Sequence, residues 1–318
     1  MNTEIIYNTQ QGFYWDWRVA TDLFLGGAGV GAFLFAVAID EWFKGKYERI
    51  CRTAALLSPL LIAGGLLLLM LKLGRPFMAY QTMINFNPSS PLWWGGIFQP
   101  LLLIGAVIYA YMWHINRGSH SSKSRKWLGR VLTPLAIIVG TYHGLLLGIN
   151  VSRPLWNTGP AVLASILGFA STGIAAVMFV HLLRMKAAGR LDDEEHVDSF
   201  LSNMIIVRNL LVTVLVLQLG TYFLWYLSLK FGNLHDQFAL EAANEHYGTM
   251  FWTLGIGAGV ILPLLIGGLA VLKGANTGNK YQVSTIIVTS LLILIGGFVF
   301  RLALVLGGQV HLPVNTLS

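Results

Sequence analysis

Long apolar segments separated by short polar connections dominate this sequence. Crossing the hydrocarbon core of a bilayer takes about 20 apolar residues, and eight segments reach this length. They cover Arg18 to Ile39, Thr53 to Leu73, Leu92 to Trp113, Val131 to Asn150, Ala161 to Leu183, Ile205 to Leu229, Thr249 to Leu272 and Ser284 to Leu306. Backbone polar groups in lipid must be satisfied within their own segment, so each segment is predicted to be an α-helix. The pattern predicts an all-α polytopic membrane protein with eight transmembrane helices, in which residues 1–318 form a single integral membrane domain.

The composition agrees with this class of protein. Of the 318 residues, 55% are hydrophobic and only 11% are charged, and the mean hydropathy is +0.64. These charges are too few to cover the surface of a water-soluble protein of this length. The net charge of +7 comes from Lys and Arg clustered between apolar segments. Such clusters are typical of topology signals beside membrane lipid, so nucleic acid is not an expected partner.

The connections alternate in charge, and this alternation predicts an orientation. Fifteen of the 21 Lys and Arg residues, Arg125 among them, fall in the connections after the first, third, fifth and seventh segments. Because basic connections stay in the cytoplasm, both termini are predicted to lie outside it. In a bacterium this describes a multi-pass protein of the cytoplasmic (inner) membrane with periplasmic termini. The polar N-terminal stretch lacks the features of a cleaved signal, so we expect it to remain on the mature protein.

Redox metals are not expected in this chain. A single cysteine, Cys51, excludes an intrachain disulfide, a Cys-rich zinc site and a self-ligated iron-sulfur cluster. A di-haem cytochrome b needs histidines facing each other at matching depth on different helices. Only His143 lies well inside a segment, whereas His114 and His181 lie near the cytoplasmic ends. Haem is therefore disfavoured, and no metal ligands are assigned.

The fourth segment carries more hydrogen-bonding capacity than an apolar helix needs for folding. Tyr142 and His143 lie inside it, and Arg153 follows it. Asp22 lies about 6 Å, and Tyr142 about 12 Å, from the predicted outer ends of their helices. An apolar slot with a few polar groups at the two carbonyls is what quinone chemistry requires. We therefore assign Asp22, Tyr142 and His143 as catalytic and quinone-binding candidates, Tyr142 as hydrogen-bond donor and Asp22 or His143 as proton relay.

Each candidate also has an ordinary structural explanation. Asp22 could pair with Arg18 in the first helical turn, and His143 could bond a backbone carbonyl. Arg301, the fourth quinone-binding candidate, could extend toward the outer face, or it could pair with Asp22 or orient a carboxylate near the slot. Arg153, the fifth candidate, could instead shape the outer mouth of the site together with Trp156, without binding the quinone. Two further polar residues inside segments, Gln99 and Gln218, are expected to form interhelical hydrogen bonds, and the glycine runs at 26–32 and 255–259 to permit close helix packing.

Four sequence motifs carry a resemblance to a known family. They are WDWRVATDLFLGGAGVGAF in the first segment, LGRP followed by NPSSPLWWG after the second, GTYHGLLLGINVSRPLWNTG around the fourth and GGFVFRLALVLGGQ in the last. Together they resemble the NrfD or polysulfide reductase membrane-subunit family over essentially the whole chain. The resemblance implies two four-helix bundles without haem. It also implies that a tyrosine of the fourth helix, here Tyr142, lines a quinone pocket together with polar residues of the first helix, here Asp22.

The resemblance further implies a respiratory role in a complex. Such subunits exchange electrons between the menaquinone or ubiquinone pool and an extracytoplasmic, four-cluster ferredoxin-like iron-sulfur subunit. That subunit serves a catalytic subunit that holds molybdopterin or is a multihaem cytochrome. The outer connections Gly74 to Gly95 and Leu229 to Tyr247 are predicted to dock the iron-sulfur subunit, since connections of this length usually dock something or line a site.

One alternative function belongs to another class of protein. A haem-free subunit could translocate ions or protons, like a transporter, without its own quinone chemistry. Secondary transporters place acidic residues and broken helices at the membrane midplane, often within repeated halves. No acidic residue lies at mid-depth in these segments and no half-sequence repeat is visible. The sequence therefore favours quinone chemistry over ion translocation.

Overall fold

The described part of the chain is helical and contains no strand. A computed structural model describes residues 15–43, 47–72, 76–115, 122–189, 194–272 and 283–310. The helices are α1 (Trp17–Trp42), α2 (Glu48–Lys72), α3 (Gln81–Ile84), α4 (Pro91–Ile115), α5 (Lys123–Gly148), α6 (Gly159–Ala187), α7 (Glu194–Lys230), α8 (Leu234–Gly248), α9 (Leu262–Leu272) and α10 (Val283–Gly307). A 3-10 turn (Pro76–Met78) precedes α3, and a π-helical stretch (Thr249–Ile261) joins α8 to α9.

The eight predicted spans are confirmed. Eight helices in the described ranges are long and apolar enough to cross a membrane, and each overlaps one predicted segment. The seventh span is longer than predicted, because one continuous helical run covers Leu234–Leu272. This run begins at a capping box, in which the Asn233 side chain accepts from the Asp236 backbone N–H and Asp236 accepts from the Asn233 backbone N–H. Most of the predicted connection Leu229 to Tyr247 is therefore helix.

Opposite ends of the helices define two faces of the molecule. The face that we call the Trp15 face holds the beginnings of α1, α4 and α6 and the ends of α2, α5, α7 and α10. Contacts across the chain join these ends: the Trp15 N–H donates to Gln309 Oε1 at 2.9 Å, and Lys72 Nζ donates to Asp16 at 3.1 Å. The opposite end is the Tyr47 face. Which face is periplasmic remains a prediction from the charge pattern.

Helix α1 lies at the centre of the packing. It contacts α2, α5, α6 and α10. Its backbone lies very close to that of α6 at Gly31, where a Cβ atom would lie 2.1 Å from the Phe169 carbonyl oxygen. The π-helical stretch approaches α10 in the same way, since a Cβ on Gly259 would lie 2.7 Å from the Gly296 Cα. Close packing was the role predicted for both glycine runs, and it is confirmed at these positions.

The grouping of the helices into two four-helix bundles remains a prediction. Contacts link α1, α2, α4 and α5 to one another, and they also link α6, α7, α9 and α10. Helix α1, however, packs extensively on α6, across the boundary between these two sets. The helices therefore form one contiguous packed body over the described residues.

The assignment of Arg125 to a basic connection is wrong. Helix α5 begins at Lys123, so Arg125 lies in its first turn, and its side chain is fully buried. Arg125 forms an ion pair with Asp40 of α1 at 2.8 Å. The helices thus extend beyond the apolar segments into their polar flanks. Several other basic residues of the connections, at positions 44, 46, 75, 117, 190, 273 and 280, lie outside the described residues.

Candidate functional site

Three buried polar atoms without hydrogen-bond partners lie on three helices at similar depth. They are Asp22 Oδ1 on α1, Gln99 Nε2 on α4 and His143 Nε2 on α5. Their residues are 1%, 2% and 1% exposed, respectively. Counted from the helix ends at the Trp15 face, all three lie about 8 to 12 Å deep at 1.5 Å per residue. Buried polar groups are normally hydrogen-bonded, so this cluster, which we call the Asp22 cluster, requires an explanation.

Glycines on neighbouring helices allow the helices to approach closely beside these atoms. A Cβ atom on Gly26 of α1 would lie 2.9 Å from His143 Nε2 and 3.5 Å from Gln99 Nε2. A Cβ atom on Gly65 of α2 would lie 2.8 Å from Asp22 Oδ1 and 3.0 Å from the Gly26 backbone nitrogen. Helices α1, α2, α4 and α5 therefore pack closely around these atoms in a region that we call the Gly26 junction, and its buried polar atoms come from three of the helices.

The tautomer of His143 follows from its backbone contact. Its Nδ1 lies 2.8 Å from the Val139 carbonyl oxygen, one turn earlier in α5. A carbonyl oxygen only accepts, so Nδ1 carries the proton and donates it in this bond. In the neutral ring, Nε2 is then an acceptor. The carbonyl contact that we considered as an ordinary role is thus present, and it leaves Nε2 available.

Asp22 has no cationic partner among the described residues, so the alternative in which it pairs with Arg18 is wrong. Arg18 instead pairs with Asp16 at 2.6 Å, and Lys72 reaches the same carboxylate at 3.1 Å. Asp16 caps α1 and also accepts from the Arg18 backbone N–H, which holds the Arg18 side chain above the first turn. The Gln99 carboxamide lies close enough to the Asp22 carboxyl for a long hydrogen bond, although Asp22 Oδ1 has no partner within 3.5 Å.

Tyr142 lies beside the Asp22 cluster. Its ring fills the space above Gly95 of α4, where a Cβ atom would lie 2.2 Å from the hydroxyl oxygen. Its ring centroid is 5.7 Å from that of His143, and its hydroxyl interacts electrostatically with Asp22. The residue is 8% exposed. No residue in the described ranges forms a hydrogen bond with the Tyr142 hydroxyl, so this group is available to a ligand.

Arg301 does not join the Asp22 cluster directly. Its Nη1 donates to the Gly297 carbonyl, so the side chain is directed into the membrane, away from the Trp15 face. Gly297 lies ten residues before the end of α10, which is about 15 Å deep. The Arg301 Cζ atom is 4.9 Å from the centroid of the Phe169 ring, and His143 contacts the same ring at 5.8 Å. Phe169 therefore separates the two residues.

Two of the alternatives considered for Arg301 are wrong as a consequence. The side chain does not extend toward the near face, because its guanidinium bonds the turn below it. It does not pair with Asp22, because no ion pair joins the two residues and Arg301 Nη2 is buried without a partner. That nitrogen lies near Gly168 and Gln218, whose own side chain donates to the Tyr222 hydroxyl at 2.8 Å. Gln218 and Tyr222 are both on α7, so this bond does not join helices as expected.

Arg153 lies at the Trp15 face, outside the cluster. It belongs to the connection between α5 and α6, and its Nη1 donates to the Gly308 carbonyl at 3.4 Å. Nearby, Trp156 stacks on Trp15 with a centroid distance of 5.3 Å and donates to the Leu304 carbonyl at 2.6 Å. Arg153 and Trp156 thus hydrogen-bond the connection between α5 and α6 to the end of α10. This position agrees with a role at the rim of a site.

Sequence reasoning missed the importance of Gln99. We expected it to bond a neighbouring helix, and its carboxamide does approach Asp22 of α1 for a long hydrogen bond, although its Nε2 has no partner within 3.5 Å. The available signal was its depth, because Gln99 lies eight residues from the beginning of α4 at the face where Asp22 also lies.

Within the described ranges, no group of three or more His, Cys, Asp or Glu residues could hold a metal ion.

Comparison with known proteins adds a family and several relatives. The family model described as "Polysulphide reductase, NrfD" matches residues 6–313. The chain is 27% identical to the "Protein NrfD homolog" of Haemophilus influenzae, with 93% of this chain and 94% of the relative covered. It is 26% identical to one of the chains of the polysulfide reductase of Wolinella succinogenes, with 95% and 96% covered. It is 22% identical to one of the subunits of the selenate reductase of Mesobacillus selenatarsenatis, with 79% and 66% covered.

Proposed function

Because this chain belongs to the NrfD, polysulphide reductase family of integral membrane proteins, we propose that it is the quinone-reactive membrane subunit of a respiratory oxidoreductase complex. In this proposal it exchanges electrons between the menaquinone or ubiquinone pool and an extracytoplasmic iron-sulfur subunit. The names of two relatives, which belong to a polysulfide reductase and a selenate reductase, support membership in a reductase complex. The terminal substrate would be converted in a partner subunit.

The observation that carries the proposal is the set of buried polar atoms without partners within 3.5 Å around the Gly26 junction. Asp22 Oδ1, Gln99 Nε2 and His143 Nε2 are buried there, and the Tyr142 hydroxyl lies beside them. Leaving such atoms unsatisfied in a buried site costs about 1–3 kcal/mol each, unless a ligand or water supplies the missing bonds. A quinone head group offers oxygen atoms to these partners and an apolar ring to their surroundings. The arrangement therefore fits a quinone better than an empty helix interface.

The residues would divide the work as follows. The Tyr142 hydroxyl would donate a hydrogen bond to one ligand oxygen, and His143 Nε2 would accept a proton at another. Asp22 would relay protons between the ligand and the Trp15 face, from which it is five residues into α1. Arg153 would shape the entrance. Arg301 would act from behind Phe169, by adding positive charge near the ligand rather than by direct contact.

A partner would supply or remove the electrons at the Trp15 face, which in this proposal is periplasmic. The connection between α2 and α4 exposes large apolar side chains there: Phe77 is 93%, Ile84 71% and Phe86 77% exposed. Exposed apolar clusters outside the membrane spans are typical of protein interfaces. We assign this connection and α8 as the dock for a four-cluster ferredoxin-like iron-sulfur subunit. A molybdopterin or multihaem cytochrome catalytic subunit would bind beyond it.

A photoreactive quinone tests the location of the site. Membranes that contain the complex are illuminated with an azido-quinone, and the labelled peptides of this chain are identified by mass spectrometry. Labels on α5 near Tyr142 and on α1 near Asp22 are expected, and excess natural quinone should suppress them. Labels confined to α7 or α9 would place the quinone elsewhere and contradict the proposal.

Cross-linking tests the dock and the orientation together. Cysteines introduced at Phe77 and Phe86 are expected to cross-link to the iron-sulfur subunit in the assembled complex. A cysteine introduced at Arg49, which is exposed at the Tyr47 face, serves as the matched control. Cross-links from Arg49 alone would overturn both the dock and the predicted orientation.

The alternative, ion or proton translocation without quinone chemistry, makes a different prediction. It requires flux across reconstituted vesicles in the absence of any redox donor. Within the described spans the two fully buried aspartates, Asp22 and Asp40, lie near opposite faces rather than at the midplane that transporters use. Donor-independent flux would favour this alternative, and quinol-dependent electron transfer without it would favour the quinone role.

A further inference from the structure

Two exposed arginines converge at the Tyr47 face, where α2 begins and α6 ends. Arg49 is the second residue of α2, and Arg184 lies three residues before the end of α6. Both charges interact electrostatically with the ring of His181, which lies one turn before Arg184 on the same face of α6. Among the described residues, no acidic side chain forms an ion pair with either arginine. Two positive charges therefore lie close together without a counter-ion from this part of the chain.

The Thr53 hydroxyl holds the Arg184 side chain against α2. Thr53 is 2% exposed and lies four residues after Arg49, so the two share one face of α2. Its Oγ1 donates to the Arg49 carbonyl at 3.0 Å and accepts from Arg184 Nη1 at 3.0 Å. His181 Nδ1 lies 3.1 Å from the same oxygen, and it donates in this contact because the hydroxyl proton is already used. A buried side chain thus fixes the position of an exposed cation.

Ordinary roles account for part of this arrangement only. A cation in the last turn of a helix interacts favourably with the helix dipole, which accounts for a basic residue at position 184. It does not account for the bond that ties Arg184 to the neighbouring helix. Glu48 precedes Arg49, but it forms its ion pair with Arg52 one turn further along α2, at 2.7 Å. The charges of Arg49 and Arg184 therefore remain to be compensated from outside the described residues.

We propose that Arg49 and Arg184 bind the phosphate of an anionic phospholipid, with Thr53 as the residue that positions Arg184. Both arginines lie within about 5 Å of the ends of membrane-spanning helices, which is the level of lipid head groups. Basic residues between helices at this level bind acidic head groups, and the N–H donors of arginine match phosphate oxygens. Leu183, the residue before Arg184, is 46% exposed and provides an apolar neighbour for an acyl chain. This favours a lipid over a soluble phosphate.

Removal of either charge has an expected size. A basic residue beside an acidic head group contributes about fivefold to lipid binding. Arg49→Gln and Arg184→Gln should each lower retention of the lipid by about this factor, and the double variant by about 25-fold.

A substitution at Thr53 separates a positioned site from a diffuse basic surface. Thr53→Val keeps both positive charges but releases Arg184, so retention should fall by about 2- to 10-fold. Thr53→Ser keeps the hydroxyl and should retain the lipid as the parental chain does. A basic surface that attracts lipid only by its net charge would not distinguish these two variants.

Lys186 provides a matched control for the charge. It is exposed at the same end of α6, two residues after Arg184, so its side chain points to a different side of the helix. Lys186→Gln removes the same charge as Arg184→Gln. We expect it to leave retention of the lipid nearly unchanged.

The test is native mass spectrometry of the full chain, released from nanodiscs that contain equal amounts of phosphatidylglycerol and phosphatidylcholine. The parental chain should retain phosphatidylglycerol in preference, and excess inorganic phosphate should not displace it. Equal retention of the two lipids, or equal losses in Arg184→Gln and Lys186→Gln, would overturn the proposed site. Displacement by inorganic phosphate would identify a soluble anion as the ligand and overturn the assignment to lipid. If the arginine variants do not fold, equal retention by Thr53→Val and Thr53→Ser would overturn the proposal, and a loss in Thr53→Val alone would support it.

Discussion

Helix α1 carries two buried aspartates whose surroundings differ. Asp40 and Asp22 are 2% and 1% exposed and lie 18 residues apart, which is about 27 Å along the helix. Asp40 accepts from Arg125 Nε at 2.9 Å and from Nη2 at 2.8 Å, and the Tyr109 hydroxyl adds a third bond at 3.3 Å. Asp22 has no cation beside it in the described part of the chain. One acid is thus fully compensated by the protein, and the other is not.

The residues around the two acids also differ. Near Asp40, large rings fill the interface, and the Arg125 guanidinium lies 3.6 Å from the centroid of the Trp113 ring. Near Asp22, glycines at positions 26 and 65 bring the neighbouring helices close together. Burying a charge is costly unless it is paired, so we propose that the unpaired acid Asp22 serves a ligand and that Asp40 stabilises the fold.

The largest expected effect comes from breaking the paired site. Arg125→Leu leaves Asp40 as a buried charge without a cation beside it. We expect this to lower the free energy of unfolding by about 3–5 kcal/mol. Denaturant or thermal unfolding of the purified chain measures this loss. Replacing both partners, as in Asp40→Leu with Arg125→Leu, should restore most of the stability, because no charge is then orphaned. Arg130→Ala at the exposed Glu41 pair is the control and should leave stability nearly unchanged.

The next effect compares two buried tyrosines. Tyr142→Phe removes a hydroxyl that no described residue bonds, so assembly and stability should not change. We expect quinol-dependent electron transfer in membranes to fall by the equivalent of about 1–3 kcal/mol, because a ligand oxygen loses its donor. Tyr109→Phe should do the opposite, reducing stability by about 1 kcal/mol with turnover unchanged. A Tyr142→Phe complex that assembles and turns over at the parental rate would contradict the assigned site.

A smaller effect on stability separates the two aspartates themselves. Asp22→Asn removes a charge without leaving a cation unpaired. The free energy of unfolding should therefore stay the same or increase by about 1 kcal/mol. Turnover should fall more than quinol binding, because the proton relay is lost and most contacts remain. Asp40→Asn should instead destabilise the chain and spare turnover. Equal destabilisation by the two substitutions, measured in the same unfolding assay, would contradict the assignment of different roles to Asp22 and Asp40.

The smallest expected effect concerns pH at the Trp15 face, where Asp16 precedes α1. Burial raises the pKa of its carboxyl, but hydrogen bonds from Arg18 and Lys72 outweigh burial and lower the pKa from 3.8 to about 2. Because the folded pKa is the lower one, the stabilisation is fully present above pH about 4 and is lost as the pH falls through about 2. The difference in unfolding midpoint between the parental chain and Asp16→Asn should be constant from pH 5 to 8 and shrink below pH 4. A difference that grows on acidification would be inconsistent with this pairing.

The sequence by itself determined the membrane spans and the depth of the candidate residues. The length of an apolar segment is a local property, and lipid forces each such segment into a helix, so the eight spans could be counted without knowing their neighbours. Depth follows from counting residues along a helix. Asp22, Tyr142 and His143 were therefore placed near the same face, and the structure brings them together. Their role in quinone chemistry remains a prediction.

Only the tertiary structure decided which polar groups have partners. In the sequence, Arg125 lies in a basic cluster between two apolar segments, like a charge in a connection. In the structure, α5 packs on α1 so that the Arg125 guanidinium donates to Asp40. The sequence allowed Arg301 either to extend toward the membrane face or to pair with Asp22. In the structure, its side chain contacts the Gly297 carbonyl one turn earlier in α10 and the Phe169 ring. The Gly26 junction exists because four helices pack closely at glycines, a condition that no single segment contains. Partnership is a property of neighbouring helices, and their rotation and register are set by packing across the whole bundle.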